Sequence, residues 1–195
     1  MIIIPVPGYS SSVPRPRRRR AWWCGLLLMG VCASALPAQI SKEYQLKAAF
    51  LFNFTKFVEW PAARFAGAES PIVIAVVGRN PFGDELEKIV RDRTVNGRRL
   101  VIVHLDTADE ALQVHAVFIA VGEEPLVEKQ IGPLIDAGVL VVGESERLAA
   151  LGGAVTFKTA DDKVRFEINI ASAEQSRVKI SSQLLKLATV VRRQP

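Results

Sequence analysis

Ile72-Val73-Ile74-Ala75-Val76-Val77-Gly78-Arg79-Asn80-Pro81-Phe82-Gly83-Asp84-Glu85-Leu86-Glu87-Lys88-Ile89-Val90 is the stretch that decides the fold. Six apolar residues, mostly β-branched, run without polar alternation, as in a strand buried on both faces. A turn with glycine at each end follows, and then a helical stretch. The same alternation recurs downstream. Leu100 to Val103, Val117 to Val121 and Val139 to Val142 read as further strands, with crossover helices over Pro81 to Arg91, Ala108 to Gln113 and Leu126 to Ala137. Right-handed crossovers of this kind predict an α/β fold, a largely parallel sheet with helices on both faces. Beyond it the pattern changes to strict alternation. Val155 and Phe157, the turn Ala160 to Lys163, and then Val164, Phe166, Ile168 and Ile170 read as a C-terminal antiparallel hairpin forming the sheet edge. A closing helix is expected from about Ser182, with Leu184, Leu187, Ala188 and Val191 on its inner face.

Upstream of the first strand, Glu43 to Trp60 reads as one helix stopped by Pro61. At 100° per residue Leu46, Phe50, Leu51, Phe54, Phe57 and Val58 share a stripe suited to a core. Asn53 lies at the border of that stripe, where a buried amide needs hydrogen-bond partners. Phe52 projects from the other side with Ala48, Lys56 and Glu59, so the helix carries an aromatic on both faces. Either a second layer of the same molecule covers Phe52, or Phe52, Lys56, Glu59 and Trp60 form a surface for a second copy or another protein, an aromatic anchor inside a polar rim.

The N-terminus carries an address. Arg15 and Arg17 to Arg20 precede the apolar run Ala21 to Val31, and the small residues Ala33-Ser34-Ala35 follow. This is the pattern of a secretory leader over residues 1–38, cleaved after Ala35 or Ala38, and the apolar run is shorter than the roughly 18 residues of a membrane span. Neither Cys24 nor Cys32 follows the small residue that lipid attachment prefers. Residues 39–195 then form a single domain. Five of the 25 basic residues fall in the leader and no acidic one does, which leaves 20 basic against 20 acidic residues. A neutral chain lacks the one-signed field that nucleic acid requires. Both cysteines also leave, so an exported domain without disulfides rests on its hydrophobic core.

Motifs for catalysis are missing. The turn Gly78 to Gly83 has neither the Lys-Ser/Thr of a phosphate loop nor dinucleotide glycine spacing, and it reads as an Asn cap with proline at the first helical position. His104 and His115 are eleven residues apart and stand in no metal-ligand pattern, so a metal pair arises only if the fold joins them. No serine stands in G-x-S-x-G, and the carboxylate pairs Glu123-Glu124 and Asp161-Asp162 read as solvated loops. These residues assign no catalytic group, metal or cofactor. On the hairpin, Glu167 and Arg165 share the face opposite Phe166 and Ile168, and Glu167 is expected to pair a basic neighbour across the sheet.

Three segments carry a resemblance: Lys47 to Pro61 in the form K-A-x-F-L-x-N-F-x-K-F-x-x-W-P, Arg165 to Asn169 as R-F-E-I-N, and Lys179 to Ala188 as K-I-S-S-x-L-L-x-L-A. With the β-α core between them they resemble the YfiR-like family of exported bacterial proteins, in the same order and over nearly the whole mature chain. The resemblance implies a periplasmic, non-catalytic regulator. Well-known members of the family restrain an inner-membrane diguanylate cyclase by binding its periplasmic sensor domain, and are captured in turn by an outer-membrane, peptidoglycan-associated lipoprotein; the output is cyclic di-GMP. No catalytic residues come with the family. Some regulatory members carry disulfides, for which this mature chain has no cysteine. The competing expectation is a periplasmic sensor that binds a small molecule or metal, because parallel sheets offer a crevice at their strand carboxyl ends.

Overall fold

A computed structural model describes residues 40–161 and 163–193; the leader expected over residues 1–38 lies outside them. The chain begins with helix α1 (Lys42–Phe57) and strand β1 (Val58–Glu59), followed by β2 (Ile72–Val77), α2 (Glu85–Val90), β3 (Thr94–Val95) and β4 (Arg98–Leu105). Next come β5 (Ala116–Ile119), α3 (Ile131–Asp136), β6 (Leu140–Gly143), α4 (Glu146–Ala150), and the hairpin β7 (Val155–Ala160) and β8 (Lys163–Asn169). The chain closes with α5 (Ile170–Gln175), β9 (Lys179–Ile180), α6 (Ser182–Leu185) and β10 (Thr189–Val191). The crossover expected over Ala108 to Gln113 is a 3-10 turn at Asp109–Gln113, and of the helix expected over Leu126 to Ala137 only Ile131–Asp136 is α-helical, after a 3-10 turn at Glu124–Leu126. No helix among the described residues is long and apolar enough to cross a membrane.

Eight strands form one sheet in the order β10-β8-β7-β6-β5-β2-β4-β3. The run from β7 to β4 is parallel throughout, so the predicted α/β class is what the chain adopts. Because side chains alternate across a strand, β2 divides its residues between two cores. Ile72, Ile74 and Val76 face one, with α1, α2 and Phe118; Ala75 and Val77 face the other, with Ala111, Val127, Ile131, Leu134 and Leu148.

The C-terminus differs from its reading. The hairpin is antiparallel as expected, but β8 is not the edge. The helix from Ser182 lasts four residues, and Thr189-Val190-Val191 then adds β10, parallel to β8. Consecutive β-branched residues favour that pairing over a further helical turn. Leu184 is buried, whereas Leu187, expected on the inner face of a longer helix, is 70% exposed. Glu167 does find basic partners, Lys158 on β7 at 3.9 Å and Arg193 beyond β10 at 3.1 Å.

Helix α1 starts on Ser41, whose hydroxyl accepts from the Tyr44 amide at 3.3 Å. It ends at Phe57, three residues before its predicted end, because Val58 and Glu59 turn to extended backbone and pair antiparallel with Ile180 and Lys179 of β9. The apolar stripe is also wider than expected. Leu51, Phe54 and Val58 are buried and Phe50 and Phe57 pack beside them, but Leu46 is 44% exposed while Ala48 and Phe52 are buried. The reason is that α1 lies against both the sheet and α2. Phe54 meets Phe157 and Phe166 with ring centroids at 5.7 and 5.1 Å, and Phe52, 5% exposed, sits under the Lys56 ammonium and the Arg93 guanidinium at 4.4 and 4.8 Å. A second layer of the same molecule therefore covers Phe52. Asn53 is half-buried, and among the described residues its side chain has no hydrogen-bond partner.

Phe52→Ala removes a core ring rather than a surface anchor. We expect it to cost about 3 kcal/mol of folding stability, the scale of a large-to-small core substitution. The measurement is a urea titration, in which the midpoint should fall with an unchanged slope.

Candidate partner-binding surface

The strand order reverses at β2, where the chain moves first to β4 and later to β5 on the other side. In parallel sheets the crevice beyond the strand carboxyl ends at such a point is the usual ligand site. Here the chain's own side chains occupy it. Gly78, at φ 73°, follows β2, and a Cβ there would come within 2.6 Å of Glu123 Oε2. The Arg79 guanidinium reaches over the same loop and donates to Val121 O at 3.2 Å. The turn to Gly83 plugs the core rather than cradling an anion. Asn80 accepts from the Phe82 amide at 2.9 Å and donates to Gly83 O at 2.7 Å, and Phe82 is fully buried between Tyr44 and Phe118. Asn80 thus closes a turn instead of capping a helix, since α2 begins only after Asp84.

Beside this crevice Glu144, just past β6, is almost wholly buried. Its Oε1 accepts from the Tyr44 hydroxyl at 2.9 Å and from the Val121 amide at 3.1 Å, and its Oε2 pairs with Lys47. Lys47 also reaches Glu43 at 2.5 Å, and that contact holds the Glu43 carboxyl below its usual range. Burial, and then the hydrogen bond to Glu144, push the Tyr44 phenol upward, so it stays protonated as a donor. This cluster ties the start of α1 to the carboxyl ends of β5 and β6.

The two histidines are kept apart. His104, near the end of β4, contacts Glu87 at 2.6 Å. His115 sits at the opposite end of the sheet, before β5, and is 4% exposed. Among the described residues no group of three or more His, Cys, Asp or Glu is arranged to hold a metal. The imidazole of His115 stacks on Phe65 at 4.5 Å and meets Trp60 edge-on at 5.7 Å. Its Nδ1 accepts from the Val73 amide at 3.1 Å, so the neutral ring carries its proton on Nε2, which has no partner among the described residues. Burial lowers its pKa from 6.5 to about 4, and Arg64 and Arg98 add to the shift.

The four residues expected to bind a partner divide into two pairs. Trp60 is buried at 9% exposure and donates from Nε1 to His115 O at 2.7 Å, and Phe52 lies in the core. Lys56 and Glu59 remain exposed, lining a shallow depression with Phe57, Asn96, Lys179, Ile180 and Ser181. Lys179 and Ile180 also line a larger groove of about 650 Å³, between α5 and α6, whose walls include Ile170, Ala173, Val178 and Leu185. Near the end of that segment Leu187 is exposed at 70% and Val190 at 45%. The exposed apolar side chains in this region are thus Leu187, between α6 and β10, and Val190 in β10, and not the aromatics of α1. Sequence reasoning placed Leu187 and Val191 inside a closing helix from about Ser182, and the three-residue run Thr189-Val190-Val191 is too short to mark a strand by itself.

His115 makes stability depend on pH. Its folded pKa lies below the unfolded one, so the unfolded state takes up a proton first as pH falls. Its contribution is complete above about pH 6.5 and is lost progressively toward about pH 4, a loss on the order of 2 kcal/mol after solvent screening is allowed for. Melting curves between pH 7.5 and about pH 4.5 should show this acid slope, and His115→Gln should flatten it.

Comparison with known proteins supplies the remaining context. A search against curated proteins found no match. Among solved structures, a conserved domain protein from Vibrio cholerae O1 biovar eltor strain N16961 is similar at 13% identity and a TM-score of 0.46, over 75% of this chain and 59% of that one. This chain thus spans about three-fifths of that protein's length. Residues 44–189, from Tyr44 beside the buried Glu144 to the first residue of β10, match the family described as YfiR/HmsC-like, and the chain belongs to that family.

Proposed function

We propose that the protein is a periplasmic, non-catalytic regulator that binds and restrains the periplasmic sensor domain of an inner-membrane diguanylate cyclase, and so acts on cyclic di-GMP signalling. The observation that carries this reading is an apolar groove walled by the half-buried Ile170, Ile180 and Leu185, together with the exposed Leu187 and Val190 farther along the chain. Exposed apolar patches with polar rims mark protein contacts. Here the rim consists of Glu174, Arg177 and Lys179. Membership of the YfiR/HmsC-like family supports the same reading. Export by the leader in residues 1–38, self-association into a homodimer, and capture by an outer-membrane, peptidoglycan-associated lipoprotein belong to it as further proposals.

The small-ligand sensor is the second reading, favoured by one observation: the groove has the volume of a ligand pocket. Its polar groups do not converge. Glu174, the carboxylate on its wall, is already engaged by the two terminal guanidinium nitrogens of Arg192 at 2.9 Å.

Leu187 separates binding from folding, because a side chain 70% exposed contributes little to the core. Leu187→Asp should leave the melting temperature unchanged and weaken binding of the cyclase's periplasmic domain by about 1 to 4 kcal/mol, the range of an interface hot spot. Isothermal titration of the two purified domains makes the measurement. Unchanged affinity would remove this surface from the interface.

A further inference from the structure

Residues 39–195 carry 20 basic and 20 acidic residues, and the basic ones differ in whether a carboxylate matches them. Lys47, Arg79, Lys88, Arg147, Lys158, Arg192 and Arg193 each lie within 4.0 Å of a carboxylate. Eleven exposed cations have no such partner among the described residues: Lys42, Lys129, Lys163, Arg165 and Lys186 are five of them, and Lys56, Arg91, Arg93, Arg99, Arg177 and Lys179 are the other six. These six form a chain of neighbours. Arg91, Arg93 and Arg99 line one depression beside β3 and β4. Arg93 shares the Phe52 ring with Lys56, Lys56 and Lys179 line the next depression, and Lys179 and Arg177 line the apolar groove. Across the three depressions the acids are Asp92, Glu59 and Glu174, and Glu174 is already matched by Arg192. Six cations thus stand against two free carboxylates.

We infer that this track receives an extended acidic peptide segment of the partner protein, with an apolar residue of that segment seated in the groove of Ile180 and Leu185. The inference rests on the reading that the protein works by binding a protein, and it names the chemistry of what is bound. Charge complementarity carries it. Unpaired cations beside low-dielectric walls attract an anion more strongly than cations on an open face, and arginine matches carboxylates with a planar fork of donors. The recessed form argues for a peptide rather than a membrane surface. Three depressions in succession suit a chain with side chains at intervals, whereas Asp92 and Glu59 within the track would oppose a continuous sheet of lipid phosphates.

The test uses the full mature chain and a fluorescein-labelled peptide of ten glutamates ending in one leucine, followed by anisotropy. Binding is expected, with an affinity that falls as salt is raised. The double variant Arg91→Glu/Lys179→Glu should weaken it at least ten-fold, while Lys129→Glu/Lys163→Glu, with the same change in net charge, should leave it within two-fold. Both positions of the first pair are exposed and outside the core, and thermal melts confirm that each variant is folded. Equal loss in the two double variants overturns the track, as does binding to phosphatidylglycerol vesicles in place of the peptide, or to inorganic phosphate with equal affinity. None of these readouts contains the cyclase, so a cyclase domain that fails to bind counts against the proposed function alone.

Discussion

Strand β2 has no face to give to water, and that constraint organises the molecule. Ile72, Ile74 and Val76 on one side and Ala75 and Val77 on the other are all nearly inaccessible, so each side must be covered by a separate layer. The crossover segments around α3 and α4 cover one. The other is covered by α1 and α2, and α1 comes from before the sheet in sequence. A parallel strand buried on both faces cannot exist without such cover. The aromatic cluster of Phe118, Phe157 and Phe166 is what the sheet offers Phe54 of α1 in return.

Docking α1 across the sheet brings charge into the interior. Lys47 and Glu144 are each at least 95% buried as side chains, and the cost of desolvating them is offset only because every carboxylate oxygen has a donor. Removing one member of such a pair typically costs about 3 to 5 kcal/mol, since the other is left uncompensated. The cluster also decides what the strand carboxyl ends are free to do. With Tyr44, Glu144, Arg79 and Glu123 filling that end of the sheet, the position where an α/β domain usually takes a small ligand is structural here. At the opposite termini of the same elements α1 gives way to β1, which pairs with β9.

A domain whose acids and bases balance, as residues 39–195 do, can still carry local charge. The ion pairs around Glu167, Glu174 and Glu144 engage Lys158, Arg193, Arg192 and Lys47, whereas Arg91, Arg93, Arg99, Lys56, Arg177 and Lys179 have no carboxylate within 4.0 Å among the described residues. Net charge reports on solubility and long-range steering, whereas local segregation sets the sign of a particular groove. The buried His115 belongs to the structural side of this division. It ties the segment from Trp60 to Phe65 to the start of β5 and gains nothing from being charged.

The sequence by itself determined the layers and most of the strand sequence. Uninterrupted β-branched runs such as Ile72 to Val77 have one physical solution, burial in a parallel sheet, and strict alternation from Val164 to Ile170 has another, an antiparallel ladder. The long motifs from Lys47 to Pro61 and from Lys179 to Ala188 were enough to point to the family. What only the tertiary structure decided is which exposed-looking residues face water. Phe52 has the same periodicity whether α2 and Arg93 cover it or a partner does, and helical spacing cannot tell the two apart. Val58-Glu59 and Thr189-Val190-Val191 are too short to announce themselves as strands. Their pairing with β9 and β8 depends on backbone groups that come close only once the sheet has formed, so the surface they frame could not be read along the chain.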